Sequence, residues 1–208
     1  MQIRPARASD LEAILAIHNQ VVTTSTAIYE DLPSTLEQRQ QWYDARVAQG
    51  YPVLVAVDGQ QVIGYATFGE WRSRWGYRFT VEHTVHVDQD WRGHGIGRAL
   101  LEALVPLARQ MGKHTMIGAV DAENQASIRF HERLGFESTG RCRQVGYKFG
   151  RWLDLVFMQL ILEQDASLAG LVNESESESE SELASEAANE STNEWPNESI
   201  SESTNEPH

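Results

Sequence analysis

The sequence contains little cysteine, and this scarcity excludes two kinds of site. Its one cysteine, Cys142, cannot form a disulfide within the chain or supply a zinc site built from cysteine thiolates. No apolar run approaches the roughly 18 residues that a membrane-spanning helix needs, and no basic-then-apolar leader follows Met1. These absences predict a cytoplasmic protein with no membrane partner.

Basic residues are missing from the end of the chain. All 17 lysines and arginines lie at or before Arg151, whereas 13 of the 30 acidic residues lie from Glu163 onward. The 17 acidic residues before Glu163 balance the 17 basic ones, so the formal net charge of −13 belongs to the segment from Glu163 onward. No basic stripe favours a nucleic acid as partner.

Composition divides the chain into a body, residues 1–163, and a tail, residues 164–208. The body has the size of one ordinary domain with a single core. In the tail, Glu alternates with Ser and then recurs at every fourth residue, a spacing that would stack like charges on a helix. Because few large apolar residues offset the entropy of ordering, we predict that the tail is disordered.

Hydrophobic periodicity in the body predicts a mixed α/β sheet with flanking helices. Two apparent capping boxes, at residues 9–12 and 34–37, predict helix starts, and Asp58-Gly59 predicts a hairpin turn. The alternating run 78–88 predicts a strand that presents Val81, His83 and Val85 on one face. Strands joined first by hairpins and later by helices are typical of an α+β mixed sheet.

A glycine-rich segment, Arg92-Gly93-His94-Gly95-Ile96-Gly97-Arg98, follows the alternating strand and opens an apolar-periodic helix. Glycine permits positive φ and close approach to a ligand, and unpaired N–H groups at a helix start attract an anion. The spacing fits neither the P-loop nor the dinucleotide-binding fingerprint. We therefore predict a phosphate cradle of another type, with a purely structural turn as the alternative.

The spacing of Arg92, Gly95 and Gly97 resembles the pyrophosphate-binding loop of the GCN5-related N-acetyltransferases. The segment Asn124–Phe136 resembles the second motif of that family, and Asn124, Ser127 and His131 share one helix face. The resemblance implies a mostly antiparallel central sheet flanked by helices, acetyl-CoA as co-substrate and no metal. It also implies cofactor contacts at Val85, His86, Val87, Arg92, Gly93, His94, Gly95, Ile96, Gly97, Arg98, Asn124 and Ser127.

Two further segments, Trp71–Val87 and Gln144–Phe157, resemble the phosphinothricin and methionine sulfoximine acetyltransferases. This resemblance implies a homodimer that acetylates the α-amine of small amino-acid analogues by direct transfer in a ternary complex. A free amino acid carries a carboxylate that pairs with arginine, and aromatic rings can wall its side chain. The expected substrate-binding residues are Arg72, Arg74, Trp75, Gly76 and Tyr77, although a loop that merely packs is equally compatible with the pattern.

Glu82 interrupts a strand built of Val and Thr, against the usual β preference. The pattern alone allows a solvent-facing residue or a carboxylate that removes a proton from the substrate amine. The resemblance assigns the catalytic role to Glu82. His131 stands where the family often has Tyr, and three roles stay open: protonating the leaving thiolate, ordering a water, or filling the helix face.

Two other functions are compatible with the sequence: acetylation of a peptide or protein N-terminus, and non-catalytic acyl-CoA binding. A free-amino-acid enzyme needs a closed pocket, whereas a peptide site needs an open groove. The presence of Glu82 argues against a non-catalytic module. His83 and His86 lie three residues apart on a strand and face opposite ways, so a metal site between them is not expected.

Overall fold

The computed structural model describes residues 1–162, in which helices cover both faces of a seven-stranded sheet. The strands are β1 (Gln2–Pro5), β2 (Val53–Asp58), β3 (Gln61–Glu70), β4 (Thr80–Val87), β5 (Thr115–Asp121), β6 (Glu137–Lys148) and β7 (Arg151–Ile161). The helices are α1 (Leu11–Thr24), α2 (Leu36–Ala48), α3 (Ile96–Gln110) and α4 (Gln125–Glu132). Short 3-10 turns cover Ala8–Asp10, Trp75–Tyr77 and Gln89–Trp91.

The strand order is β1-β2-β3-β4-β5-β7-β6, and within the described residues only β4 and β5 pair in parallel. This arrangement confirms the prediction of a mixed, mostly antiparallel sheet flanked by helices. The body-to-tail boundary at residue 163 and the disorder predicted for residues 164–208 lie outside the described part of the chain.

Strand β2 shows how the sheet is buried on both faces. All five residues Val53–Val57 are buried, and their side chains alternate between two cores. Val53 and Val55 pack in one core with the α1 residues Leu11 and Ile14. Leu54 packs in the other core, which contains the buried residues of α3. Uninterrupted apolar strands follow from this double coverage, because neither face meets water.

Both predicted capping boxes are wrong in their register. Before α1, the side chain that forms hydrogen bonds is that of Asp10 rather than Ser9. The Asp10 carboxylate accepts from the Arg7 N–H and pairs with the Arg4 guanidinium. At α2, the Thr35 hydroxyl accepts from the Gln38 N–H, and the Gln38 side chain accepts from the Thr35 N–H. The neighbouring Ser34 bonds to α1 instead, since its N–H donates to the Asn19 carboxamide oxygen at 2.8 Å.

Candidate active site

The parallel strands β4 and β5 separate part-way along their length. Their pairing covers only Thr80–Glu82 of β4, and ends where Glu82 faces Ile117. Beyond this point β4 continues against β3 to Val87, and β5 continues against β7 to Asp121. The second half of β4 therefore has a backbone edge turned toward a gap, and an extended ligand can pair with such an edge as a strand does.

Glu82 lies at the last paired position before this gap. Its side chain is half-buried and shares a face of β4 with Thr80, whereas Val81 and His83 are buried on the other face. This is the alternation expected from the sequence. Burial raises the pKa of Glu82, while the positive charges of Arg46 and Arg72 oppose the rise. Because the effect of burial exceeds that of the two arginines, this carboxylate takes up a proton at a higher pH than a free glutamate.

Arg46 is a residue of this site that the sequence did not reveal. It lies on α2, and a Cβ atom built at Gly69 would overlap its guanidinium group. Gly69 is the cross-strand partner of Glu82. No local pattern could have linked Arg46 to Glu82, because their proximity depends on how α2 packs over β3.

A cavity of about 420 Å³ opens on the face of the sheet that carries Glu82. Thr80 lines it and lies two residues from Glu82 on the same face of β4, a separation of about 7 Å along a strand. The remaining walls come from β5, β6, β7 and the segment after β3: Trp71, Arg72, Tyr77, Thr115, Ile117, Thr139, Gly140, Phe157 and Gln159. This volume lies within the ordinary range of small-molecule binding sites.

The segment after β3 supplies only some of the expected substrate residues. Arg72 and Tyr77 line the cavity, and the Trp71 ring packs edge-on against Tyr77 with centroids 5.1 Å apart. The other three expected residues, Arg74, Trp75 and Gly76, are exposed and do not line it. Trp75 instead lies against the guanidinium of Arg78, 4.2 Å from the ring centroid.

The glycine segment has the geometry that the phosphate-cradle hypothesis requires. Gly93 and Gly95 have φ of 83° and 79°, in the left-handed region that favours glycine. A Cβ at either position would meet nothing within 4 Å among the described residues, so no protein packing accounts for the missing side chains. Gly95 is the N-cap of α3, and the amides of the first turn are the natural partners of an anion.

Asn124 and Ser127, two of the expected cofactor contacts, are hydrogen-bonded to each other. The Asn124 carboxamide oxygen accepts from the Ser127 N–H at 3.0 Å and caps α4. This hydrogen bond occupies the oxygen and leaves the amide hydrogens to donate.

Asn124 also lines a second cavity, of about 380 Å³, near the carboxyl ends of α1 and β5. The other lining residues are Thr24, Ser25, Thr26, Asp121, Glu123, Phe149 and Arg151.

His131 is buried on the opposite face of the sheet from Glu82, in contact with His83. Nδ1 of His131 lies 2.7 Å from the Ser127 carbonyl oxygen, which can only accept, so Nδ1 carries the proton. Nε2 of the neutral ring must then accept from Nε2 of His83, 3.2 Å away. Burial lowers the pKa of His131, and burial with the neighbouring His131 lowers that of His83 to about 3. Both rings are therefore neutral near pH 7.

His83 and His86 point to opposite faces, as the strand alternation predicts. His83 contacts His131 and Phe136, and His86 lies against Tyr65. Across residues 1–162, no group of three or more His, Cys, Asp or Glu side chains is placed to hold a metal ion. In the same residues, no helix is both long and apolar enough to cross a membrane.

A comparison with known protein families identifies the family of this chain. Residues 14–136 match the model of the acetyltransferase (GNAT) family, and this range contains Glu82, the glycine segment and His131. The chain belongs to the GNAT family. It is accordingly an acetyltransferase.

Individual GNAT relatives are similar over nearly their whole length. The chain is 53% identical over 166 residues to an L-methionine sulfoximine/L-methionine sulfone acetyltransferase of Pseudomonas paraeruginosa (79% of this chain, 96% of the relative). It is 36% identical over 168 residues to a phosphinothricin N-acetyltransferase of Streptomyces viridochromogenes (80% and 90%). The solved structure of yncA from Salmonella typhimurium, with its cofactor acetyl-CoA, superposes with a TM-score of 0.77 at 49% identity (80% and 96%).

Proposed function

We propose that this enzyme transfers the acetyl group of acetyl-CoA to the α-amine of a small amino-acid analogue, with Glu82 as the base. The candidate acceptors are L-methionine sulfoximine, methionine sulfone and phosphinothricin, which are named for its relatives. The observation that carries the proposal is the position of Glu82, half-buried at the end of the β4–β5 pairing and on the face of the 420 Å³ cavity. Transfer is direct, in a ternary complex.

The acetyl-CoA site would be built by β4, the glycine segment and the start of α4. Acetyl-CoA supplies the thioester that is the acetyl donor. The amides at the start of α3 would bind its pyrophosphate, and Gly93 and Gly95 leave that approach open. The edge of residues 85–87, which does not pair with β5, would bind the pantetheine amides, and the Asn124 amide group would donate a further hydrogen bond.

Glu82 would act on the substrate amine before transfer. An α-ammonium group must lose its proton before its nitrogen can attack a thioester, and a carboxylate within hydrogen-bond reach can accept that proton. Because burial raises the pKa of Glu82, its ionised form is lost at a higher pH than for a free glutamate. Activity is therefore expected to fall as the pH is lowered through this raised pKa.

The cavity walls favour a free amino acid over a peptide. Arg72 offers a guanidinium for the substrate carboxylate, and the rings of Trp71 and Tyr77 close one side. In a peptide acceptor, an amide bond to the next residue takes the place of this carboxylate. The alternatives that remain are acetylation of a peptide or protein N-terminus and acyl-CoA binding without transfer.

We assign His131 a supporting role in this mechanism. Its one ring proton is held by the Ser127 carbonyl, and its lone pair accepts from His83. A neutral imidazole bound on both nitrogens has no proton ready for a leaving thiolate. Of the three roles open from the sequence, filling and fixing the helix face fits this geometry best.

A homodimer is part of the proposal, on the strength of the exposed β6–β7 hairpin. Val145, Tyr147, Phe149 and Trp152 are all more than half exposed, and the Tyr147 and Trp152 rings pack together with centroids 5.1 Å apart. Exposed apolar clusters of this kind mark interaction surfaces. A cytoplasmic location stays a prediction from the sequence.

A substrate panel scored by release of free thiol tests the proposed function. The panel contains L-methionine sulfoximine, methionine sulfone, phosphinothricin, ordinary L-methionine and a peptide with an N-terminal alanine, each with acetyl-CoA. We expect the highest kcat/KM on one of the first three. Preference for the peptide would support the N-terminal alternative, and acetyl-CoA binding without thiol release on any acceptor would support the non-catalytic one.

A further inference from the structure

The guanidinium of Arg46 lies directly over the backbone of Gly69. A Cβ at Gly69 would overlap the guanidinium nitrogen and carbon atoms, so only glycine leaves room for this group. Gly69 is buried within β3 without a positive φ. Its lack of a side chain is therefore explained by the approach of Arg46 rather than by backbone conformation.

This contact places Arg46 next to Glu82. Gly69 and Glu82 are cross-strand partners, so the guanidinium over Gly69 faces the same neighbourhood as the Glu82 side chain. The two side chains attract each other electrostatically, and no direct ion pair joins them within residues 1–162. The carboxylate oxygens of Glu82 thus stay available for a substrate ammonium group.

Arg46 is also held on its other side. Its guanidinium carbon lies 5.8 Å from the centroid of the Tyr51 ring, a cation–π distance. Burial is the main cause that lowers the pKa of Arg46, and the neighbouring Tyr51 and Glu82 oppose it. An arginine remains charged under these conditions, so a fixed positive charge stands beside the carboxylate.

We propose that Arg46 is a positioning residue for Glu82, keeping its carboxylate ionised and oriented toward the acceptor amine. The proposal rests on the proposed function of Glu82 as base. It divides the work between two arginines. Arg46 is fixed between Gly69 and Tyr51, whereas Arg72 is exposed, lies over the Trp71 ring and lines the cavity, where it can bind the substrate carboxylate.

Other charged or titratable groups near this pair come from several elements. Burial lowers the pKa of Lys113 and raises that of Tyr51, and the negative charge of Glu70, at the end of β3, opposes the first shift and adds to the second. On β4, His83 faces the opposite side of the sheet, and burial keeps the pKa of His86 at about 3. Because burial lowers the pKa of both histidines, we expect the acidic limb of the rate profile to report the protonation of Glu82, whose pKa its two arginines lower.

The test is the pH dependence of kcat/KM for Arg46→Met, Arg46→Lys and Gly69→Ala, each alone and with Glu82→Gln. Removing a positive neighbour should move the acidic limb to higher pH by about half to one unit, roughly a three- to tenfold loss on that side. Arg46→Lys should restore most of the wild-type limb. Gly69→Ala should displace the Arg46 guanidinium from its place over the β3 backbone and move the limb in the same direction by less.

The Glu82→Gln background separates the possible failures. There, Arg46→Met should cause no further loss, because the group that it serves is gone. An unmoved limb in Arg46→Met, or an equal loss in both backgrounds, would overturn the proposal. Full activity of Glu82→Gln alone would instead refute the proposed function. Arg133→Met, which removes a charge from the exposed end of α4, controls for net charge.

Discussion

Nε2 of His83 lies 3.2 Å from Nε2 of His131, and both rings lie against Gly118. A Cβ at Gly118 would be 2.7 Å from the first nitrogen and 2.9 Å from the second, closer than real Cβ contacts. Gly118 follows Ile117, which is the last β5 residue paired with β4. The histidine pair therefore fills the start of the gap between the strands, on the face opposite Glu82.

His131→Phe tests the supporting role. It removes the acceptor of the buried His83 N–H, and an unsatisfied buried donor costs about 1–3 kcal/mol. We expect the unfolding free energy in urea to fall by that amount, while turnover at saturating acetyl-CoA falls less than about tenfold. The double variant with His83→Phe should cost less than the sum of the two single variants, because no polar partner is left unpaired.

A proton-donor role for His131 predicts a different result. Turnover would then fall by about a hundredfold or more, with folding and acetyl-CoA affinity kept, and the alkaline limb of the pH profile would change. That outcome would contradict the neutral, doubly bonded ring described above.

Gly95→Ala should weaken acetyl-CoA binding. Its φ of 79° costs a side-chain-bearing residue roughly 1–3 kcal/mol, and the added methyl group stands where the pyrophosphate would approach the start of α3. Gly59→Ala is the matched control, since Gly59 also has a positive φ, of 59°, and an open Cβ position, but it lies in the turn between β2 and β3. Calorimetric titration with acetyl-CoA compares the two, and equal affinities for both variants would refute the cradle assignment.

Lys148→Met should destabilise the fold. The buried Nζ donates to the carbonyl oxygens of Val22, Ser25 and Ile28, at 2.7, 2.9 and 2.5 Å, and so ties the β6–β7 hairpin to the end of α1. We expect a loss of about 2–4 kcal/mol in urea unfolding, since hydrogen bonds to charged groups are worth about 1.5–3 kcal/mol each and are not additive. Lys113→Met removes a single bond, to the Arg78 carbonyl, and should cost less. Equal losses would show that the three-carbonyl contact adds nothing.

Much of the fold could be predicted, and the candidate site residues could be placed on its elements, because their signals are local. Alternation along β4 placed Glu82 and His83 on opposite faces, and the glycine spacing marked the start of α3. Arg46 could not be predicted, because its contact with Gly69 joins α2 to β3 through tertiary packing. A general signal did exist: glycines inside strands mark close approaches, and Gly69, Gly118 and Gly146 lie against Arg46, the histidine pair and Tyr29 respectively.

The central claim is that Glu82 is the base, and Glu82→Gln measured on L-methionine sulfoximine from pH 6 to 9 tests it most directly. Glutamine keeps the shape and a hydrogen-bonding group but cannot take the proton. We expect kcat to fall by about 10²–10⁴-fold, the acidic limb to vanish and acetyl-CoA affinity to stay nearly unchanged. Acetylation at the wild-type rate across this range would contradict the account, because the amine would then lose its proton without Glu82.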